Sequence, residues 1–184
     1  LSLGDAVADW NVVATVRAGA YAEARRALAE LAPVQRTDYF NVLVLEVADV
    51  RAFAEALAAF WTADPDLGTV LGRVTPLERL FEFQSPAEFE ARAREAATPW
   101  LDRLAGTRFH VRMHRRGFKG RLSSQDEERF LDRWVLASLS EGDRAAVAFD
   151  DPDWILDLET VGQRGGMSLW SRADLDRFPF LHLD

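Results

Sequence analysis

Thr107-Arg108-Phe109-His110-Val111-Arg112-Met113-His114 alternates apolar and polar side chains without a break. A period of two places Phe109, Val111 and Met113 on one face of an extended strand and Arg108, His110, Arg112 and His114 on the other. A strand with one apolar face belongs to a sheet covered by helices on that side. The continuation Arg115-Arg116-Gly117-Phe118-Lys119-Gly120-Arg121 reads as a Gly-hinged basic loop. Residues 107–121 hold six cations and no acid, whereas residues 1–106 hold ten Arg against sixteen acids and residues 122–184 six Arg against fourteen acids. Lys119 is the sole lysine, a bias that a GC-rich coding sequence explains.

Downstream, Ser123 and Ser124, each followed at the third position by an acid (Asp126, Glu127), predict a capped helix with the stripe Phe130, Leu131, Trp134, Val135 and Leu139, stopped by Gly142. Residues 145–149 predict a strand and Asp150-Asp151-Pro152-Asp153 a turn. Residues 154–161 and 167–170 predict a hairpin around Gly162, Gly165 and Gly166. Upstream, Ser85-Pro86 with Glu88 and Glu90 behind it starts a helix running toward Ala97. Pro99 restarts it, and the segment through Leu104 ends at Ala105-Gly106.

The first part of the chain alternates both periods. Residues 11–16 read as a strand, and Tyr21, Ala24, Leu28 and Leu31 share one helical face closed by Pro33. Residues 34–36 and 40–47 read as two strands about a Thr37-Asp38 turn. Val50, Phe53, Leu57 and Phe60 or Trp61 stripe a second helix ended by Asp64-Pro65, and residues 77–83 supply a last strand. This order, β-α-β-β-α-β, is ferredoxin-like. The expected fold class is α+β, divided into residues 1–84, ferredoxin-like, and residues 85–184, an α/β domain with a mixed sheet.

At 184 residues, with 48% hydrophobic residues, six Trp and twelve Phe, the chain has enough apolar surface for a packed core, so it is not a disordered polypeptide. The absence of cysteine excludes disulfides, thiolate nucleophiles, iron-sulfur clusters and Cys-based zinc sites. No apolar run approaches the roughly 20 residues of a spanning helix. Asp5 and Asp9 stand where a leader would be positive. A soluble, cytoplasmic protein is expected, and a start at Leu1 without Met fits a trimmed N-terminus. The net charge of -8 argues against a protein that coats nucleic acid over its whole surface.

Nucleotide cradles of the G-x-x-x-x-G-K kind are absent, and Gly162-x-x-Gly165-Gly166 falls in a hairpin. His110 and His114 lie four residues apart on a strand, about 13 Å, too far to clamp one ion. His182 reads as a tail residue. The acids of residues 150–153 are turn residues, since a calcium loop needs further oxygen ligands at fixed spacing. No Ser sits in a nucleophile elbow. The expectation is no catalytic residue, no cofactor and no metal.

The basic segment carries the positive signal, because clustered cations and backbone N–H groups of a Gly-containing loop suit phosphates, and Phe118 could stack on a base. On the residues alone, an alternative stays open: Arg108 and Arg112 pair across the sheet with Asp157 and Glu159, which alternate with Trp154, Leu156 and Leu158.

Residues 107–184 resemble the THUMP domain. The resemblance rests on Thr107 to Gly117, on Ser123-Ser124-x-Asp126-Glu127-Glu128, on Val147-x-Phe149-Asp150-Asp151-Pro152-Asp153 and on Leu158-Glu159-Thr160-Val161-Gly162. Gly72-Arg73-Val74-Thr75-Pro76-Leu77 is similar to the "R-hydrophobic-x-P" opening of the branch that assists tRNA cytidine acetylation. The resemblance implies a tRNA-binding module whose ferredoxin-like and THUMP domains hold the acceptor end of tRNA while another domain or protein modifies a base. Other members add a thiouridine synthase, methyltransferase or pseudouridine synthase domain; this sequence stops close to where the THUMP domain would end.

The expected function is therefore that of a non-catalytic adaptor in tRNA modification and processing, with tRNA and a separate modifying enzyme, such as an acetyltransferase, as partners, and no membrane. Arg108, Arg112, Arg115, Arg116, Lys119 and Arg121 would contact phosphates, with His110 and His114 as hydrogen-bond partners. Two rival readings are a protein-interaction subunit that never touches RNA and a small-molecule enzyme with a pocket between its halves.

Overall fold

β1 (Val12–Val16) is an inner strand of the first sheet, followed by α1 (Tyr21–Ala29), β2 (Val34–Arg36), β3 (Val42–Leu45), α2 (Val50–Ala63), the single turn α3 (Leu67–Val70) and β4 (Leu71–Pro76). The sheet order is β2-β3-β1-β4 and every pair is antiparallel, which is the ferredoxin-like arrangement. Ala24 and Leu28 of α1 and Phe53, Ala54 and Leu57 of α2 are buried, so the helical stripes of the sequence are the buried faces. Asp49 caps α2, its carboxylate accepting from the N–H groups of Arg51 and Ala52. The computed structural model describes residues 9–182; residues 1–8, which include the Asp5 of the leader argument, and residues 183–184 lie outside the described residues.

The strand that closes this sheet is β4, not the expected segment 77–83. β4 is buried along its whole length. At Gly72 a Cβ would lie 2.4 Å from Thr15 Oγ1, and that hydroxyl instead accepts the Arg73 N–H at 2.8 Å, where β1 is irregular between Ala14 and Val16. Only glycine allows this approach.

The next strand, β5 (Arg79–Glu82), belongs to the second sheet. It is followed by α4 (Pro86–Ala97), a 3-10 turn, α5 (Leu101–Leu104), β6 (Arg108–His114), α6 (Ser124–Ser138), β7 (Ala146–Val147), β8 (Trp154–Val161), β9 (Arg164–Ser171) and α7 (Arg172–Arg177). The order β5-β9-β8-β6-β7, with β6 parallel to β7 and β8 and the remaining pairs antiparallel, makes the sheet mixed. Phe109, Val111 and Met113 join Phe89 of α4 and Leu131 and Val135 of α6 in one buried cluster. Ser85 and Ser123 cap these helices, accepting from the N–H groups of Glu88 and Asp126.

By compactness the chain divides into Leu1–Leu77 with Leu175–Asp184, and Glu78–Asp174. The division thus falls after Leu77 and not after residue 84. Consecutive N–H groups explain it: Leu77 donates to Asn11 in the first unit at 2.8 Å, Glu78 to Met167 in the second at 3.0 Å. Phe180 packs on Trp61, ring centroids 6.0 Å apart, which ties the chain's end to the first unit.

Three local expectations change. The 145–149 strand pairs only over Ala146–Val147. α6 stops at Ser138, ahead of Gly142, which lies in a 3-10 turn. In the hairpin only Gly162, at φ 63°, serves the turn; Gly165 and Gly166 are inside β9. A Cβ at Gly165 would lie 2.7 Å from the Phe81 ring of β5, so this glycine admits the aromatic side chain of the edge strand.

Glu127 of α6 is buried against Glu90 of α4, and burial first, then the Glu90 charge and hydrogen bond, pushes its carboxyl up to about 7. Burial also pushes Asp132 up to about 6, partly opposed by the Val111 N–H that it accepts. Both values exceed those of an unfolded chain, so the folded state binds extra protons between about pH 4 and 7, and the stability they contribute is complete below that window and lost as pH rises through it. Thermal melting should therefore give Glu127→Gln a higher Tm than the parent at pH 8, with the gap closing toward pH 5. A variant that melts lower at pH 8 would sink this assignment.

Candidate nucleic-acid interface

β6 lies parallel to β8 in a register that sets Arg112 beside Asp157 and His114 beside Glu159. Asp157 and Glu159 are fully buried. Arg112 Nη2 lies 3.0 Å from Asp157 Oδ2, Arg116 Nη1 2.5 Å from Glu159 Oε2, and His114 Nδ1 3.5 Å from Glu159 Oε1. Buried carboxylates require such partners, because an unpaired charge out of water costs several kcal/mol, roughly. The Arg116 N–H donates to both the side-chain and backbone oxygens of Thr160 at 3.1 Å. The Arg115 guanidinium turns back onto the Gly117 carbonyl.

Phe118 takes a positive φ of 52° between Gly117 and Gly120, both also left-handed, which folds the loop back on the sheet. Its ring lies 5.0 Å from that of Phe83, and the Arg121 guanidinium sits 4.9 Å above it. The ring considered for base stacking is thus already in contact with Phe83 and Arg121. Lys119 and Arg121 are exposed.

Arg108 is also exposed, and its partners are not the Asp157 and Glu159 of the alternative cross-sheet pairing. Its N–H donates to Asp153 Oδ2 at 2.8 Å and its Nη2 to the Asp150 carbonyl at 2.9 Å. His110 stacks obliquely on Phe149, centroids 5.6 Å apart. Burial first, then the charge of Arg112, lowers its pKa against the opposing pull of Asp157, so the ring is neutral at pH 7.

Six of the eight sequence-derived residues fall into two groups. Arg112, His114 and Arg116 form one network with buried acids, while Arg108, Lys119 and Arg121 reach the surface. His110 lies beside Phe149 and Arg115 on its own loop. His114, Asp157 and Glu159 bring ligand-type atoms within 4.8 Å of one another, a cross-strand cluster invisible to spacing along one strand. Arg112 and Arg116 each hold one oxygen of these carboxylates, which makes the cluster part of a charge network.

No family model matches the sequence, and no curated protein matches it. Solved structures do. PH1313 from Pyrococcus horikoshii matches at TM-score 0.56 and 11% identity, covering 87% of this chain and 54% of that one. TrmN from Thermus thermophilus matches at 0.58 and 17%, covering 86% and 44%. A 4-thiouridine synthetase, solved in complex with RNA and ATP, matches at 0.55 and 12%, covering 86% and 40%. The shared fold is ferredoxin-like plus THUMP-like. At these identities the likeness is one of architecture, and the chain spans about half or less of each of these proteins. No helix among the described residues is long and apolar enough to cross a membrane.

The network separates structural from available cations. Arg116→Ala should lower Tm by several degrees, because it strips a partner from a buried carboxylate, whereas Lys119→Ala should melt within about a degree of the parent. Equal melting of the two variants would mean that Arg116 carries no structural load.

Proposed function

We propose that this chain binds tRNA through the basic segment 107–121 and presents it to a separate modifying enzyme, with tRNA cytidine N4-acetylation as the first pathway to test. The observation that carries the reading is the placement of the segment: the chain's one acid-free basic stretch ends at an exposed loop, with Arg108, Lys119 and Arg121 at the surface. The architecture shared with a synthetase solved in complex with RNA supports it. Arg112, Arg115, Arg116 and His114 shape the surface from behind, and the exposed cations meet phosphates.

The adaptor role is the part of this reading that concerns chemistry. Among the described residues, Arg112, His114 and Arg116 of the basic segment are engaged with Asp157 and Glu159, a charge network that holds the sheet together. The net charge of -8 suits a protein that meets RNA on one patch and presents a mostly acidic surface elsewhere. A reducing, cytoplasmic setting accords with the cysteine-free sequence and with tRNA as the ligand.

Competition binding tests the RNA contact. tRNA should displace a labelled tRNA better than duplex DNA of equal length, and affinity should fall as salt rises. Lys119→Ala and Arg121→Ala should each flatten the slope of log affinity against log salt by about one, since each removes a phosphate contact. Equal displacement by DNA would reduce the surface to a generic basic patch.

The adaptor role has its own test, mass spectrometry of tRNA nucleosides after incubation with acetyl-coenzyme A, S-adenosylmethionine or ATP. The chain alone should leave tRNA unchanged, and a new nucleoside should appear only when a partner such as an acetyltransferase is added. A modified nucleoside made by this chain alone would overturn the adaptor role.

A further inference from the structure

Phe149 follows β7 and is 75% exposed, although the backbone around it is fixed. The Ala148 N–H donates to the Phe109 carbonyl at 2.8 Å, and the Ala148 carbonyl oxygen lies 3.4 Å from His110 Nδ1. On the other side the Asp150 carbonyl accepts from Arg108 Nη2 at 2.9 Å. The turn beyond is held by Arg172, whose Nε lies 2.9 Å from Asp151 Oδ1 and whose Nη2 lies 3.2 Å from Asp153 Oδ1. A large apolar ring presented to water on a backbone tied at both ends is a held position and not the excursion of a loose loop.

The ring's surroundings narrow what it could meet. His110 backs it at a 33° tilt, extending the aromatic surface. Arg108, on the same strand face as His110, puts one of its five N–H groups on the carbonyl of Asp150, the residue after the ring, so others remain to receive an anion. Of the neighbouring acids, Asp151 and Asp153 are paired with Arg172, while Asp150 is exposed to solvent. A single exposed ring among charged groups does not form the contiguous apolar patch of a protein interface. It matches a nucleobase, which pairs a π-face with polar edges and carries a phosphate next to it.

We propose that Phe149, backed by His110, is a stacking platform for an unpaired nucleobase of the bound RNA, with Arg108 receiving the adjoining phosphate. This rests on the RNA-binding reading above and adds which part of the RNA is held. Stacking on an aromatic side chain tolerates any base, so the platform selects single-stranded character over sequence. Duplex RNA hides its base faces and has nothing to offer this ring.

The test compares two RNA hairpins, one with a three-nucleotide 3′ overhang and one blunt, titrated into the full chain with fluorescence anisotropy as readout. Phe149→Ala should weaken binding of the overhang hairpin roughly tenfold and leave the blunt hairpin unchanged, while Phe149→Tyr keeps the parent affinity for both. Thermal melting of both variants should match the parent, because the ring is exposed. If the parent binds the overhang hairpin and Phe149→Ala binds it equally well, the platform is wrong and RNA binding stands. If Phe149→Ala weakens both hairpins alike, the ring does not read single strands, which also overturns the platform. If the parent binds neither hairpin nor tRNA, the RNA-binding reading fails and the platform falls with it.

Discussion

Two fully buried carboxylates, Asp157 and Glu159, set the terms for the second unit. They lie on the strand at the centre of its five-stranded sheet, and β6 satisfies them in a register that pairs residue 112 with 157 and 114 with 159. A slip of one residue would turn Arg112 toward Phe89 and Leu131 and leave Asp157 without its guanidinium, so the charge pairs and the apolar alternation enforce the same register. The same pairs draw Arg116 back over the sheet end, where its backbone bonds to Thr160 and Gly162. Beyond that anchor the loop folds back through Phe118 onto Phe83, and Lys119 and Arg121 are its exposed cations.

Elements with their signals close together along the chain were legible in the sequence. Alternation in 108–114 gave β6, and Ser85-Pro86 and Ser123 gave the starts of α4 and α6. The misplaced element was the closing strand of the first sheet. Gly72, Arg73 and Pro76 depress strand propensity in 71–76, and what makes Gly72 fit is the Thr15 hydroxyl, more than fifty residues away. The apolar run in 77–83 is a strand, as its pattern indicates, but in the other sheet. Partner choice between two sheets is a tertiary matter that no local pattern encodes.

For the candidate site, composition located the segment and stopped there. Which cations are spent on buried acids depends on partners more than forty residues distant, and only the pairing of Arg112 with Asp157 could be anticipated from alternation in both strands. The alternative in which Arg108 pairs with Asp157 or Glu159 does not form, because a parallel pairing sets Arg108 at the mouth of the strand, against the turn residues Asp150 and Asp153. Phe118 looked like the free aromatic because it sits between glycines, yet those glycines are what fold it onto Phe83. Phe149 gave no sign of its exposure, being one more apolar residue at the end of a short strand.

The helix α6 completes the logic of that short strand. Glu128 Oε1 accepts the Met113 N–H at 2.8 Å and Asp132 Oδ1 the Val111 N–H at 3.3 Å, so two carboxylates one helical turn apart cover the β6 edge where β7 no longer reaches. A bare edge would invite another strand, and these side chains answer its donors without one. β7 can then end after Val147, which frees Ala148 and Phe149 to turn away beside His110. The acids also give α6 a sign opposite to that of the basic loop. Under the proposed RNA-binding role, a polyanion would be repelled from the helix and drawn to Arg108, Lys119 and Arg121, so the device that seals the strand edge would also orient an approaching phosphate backbone.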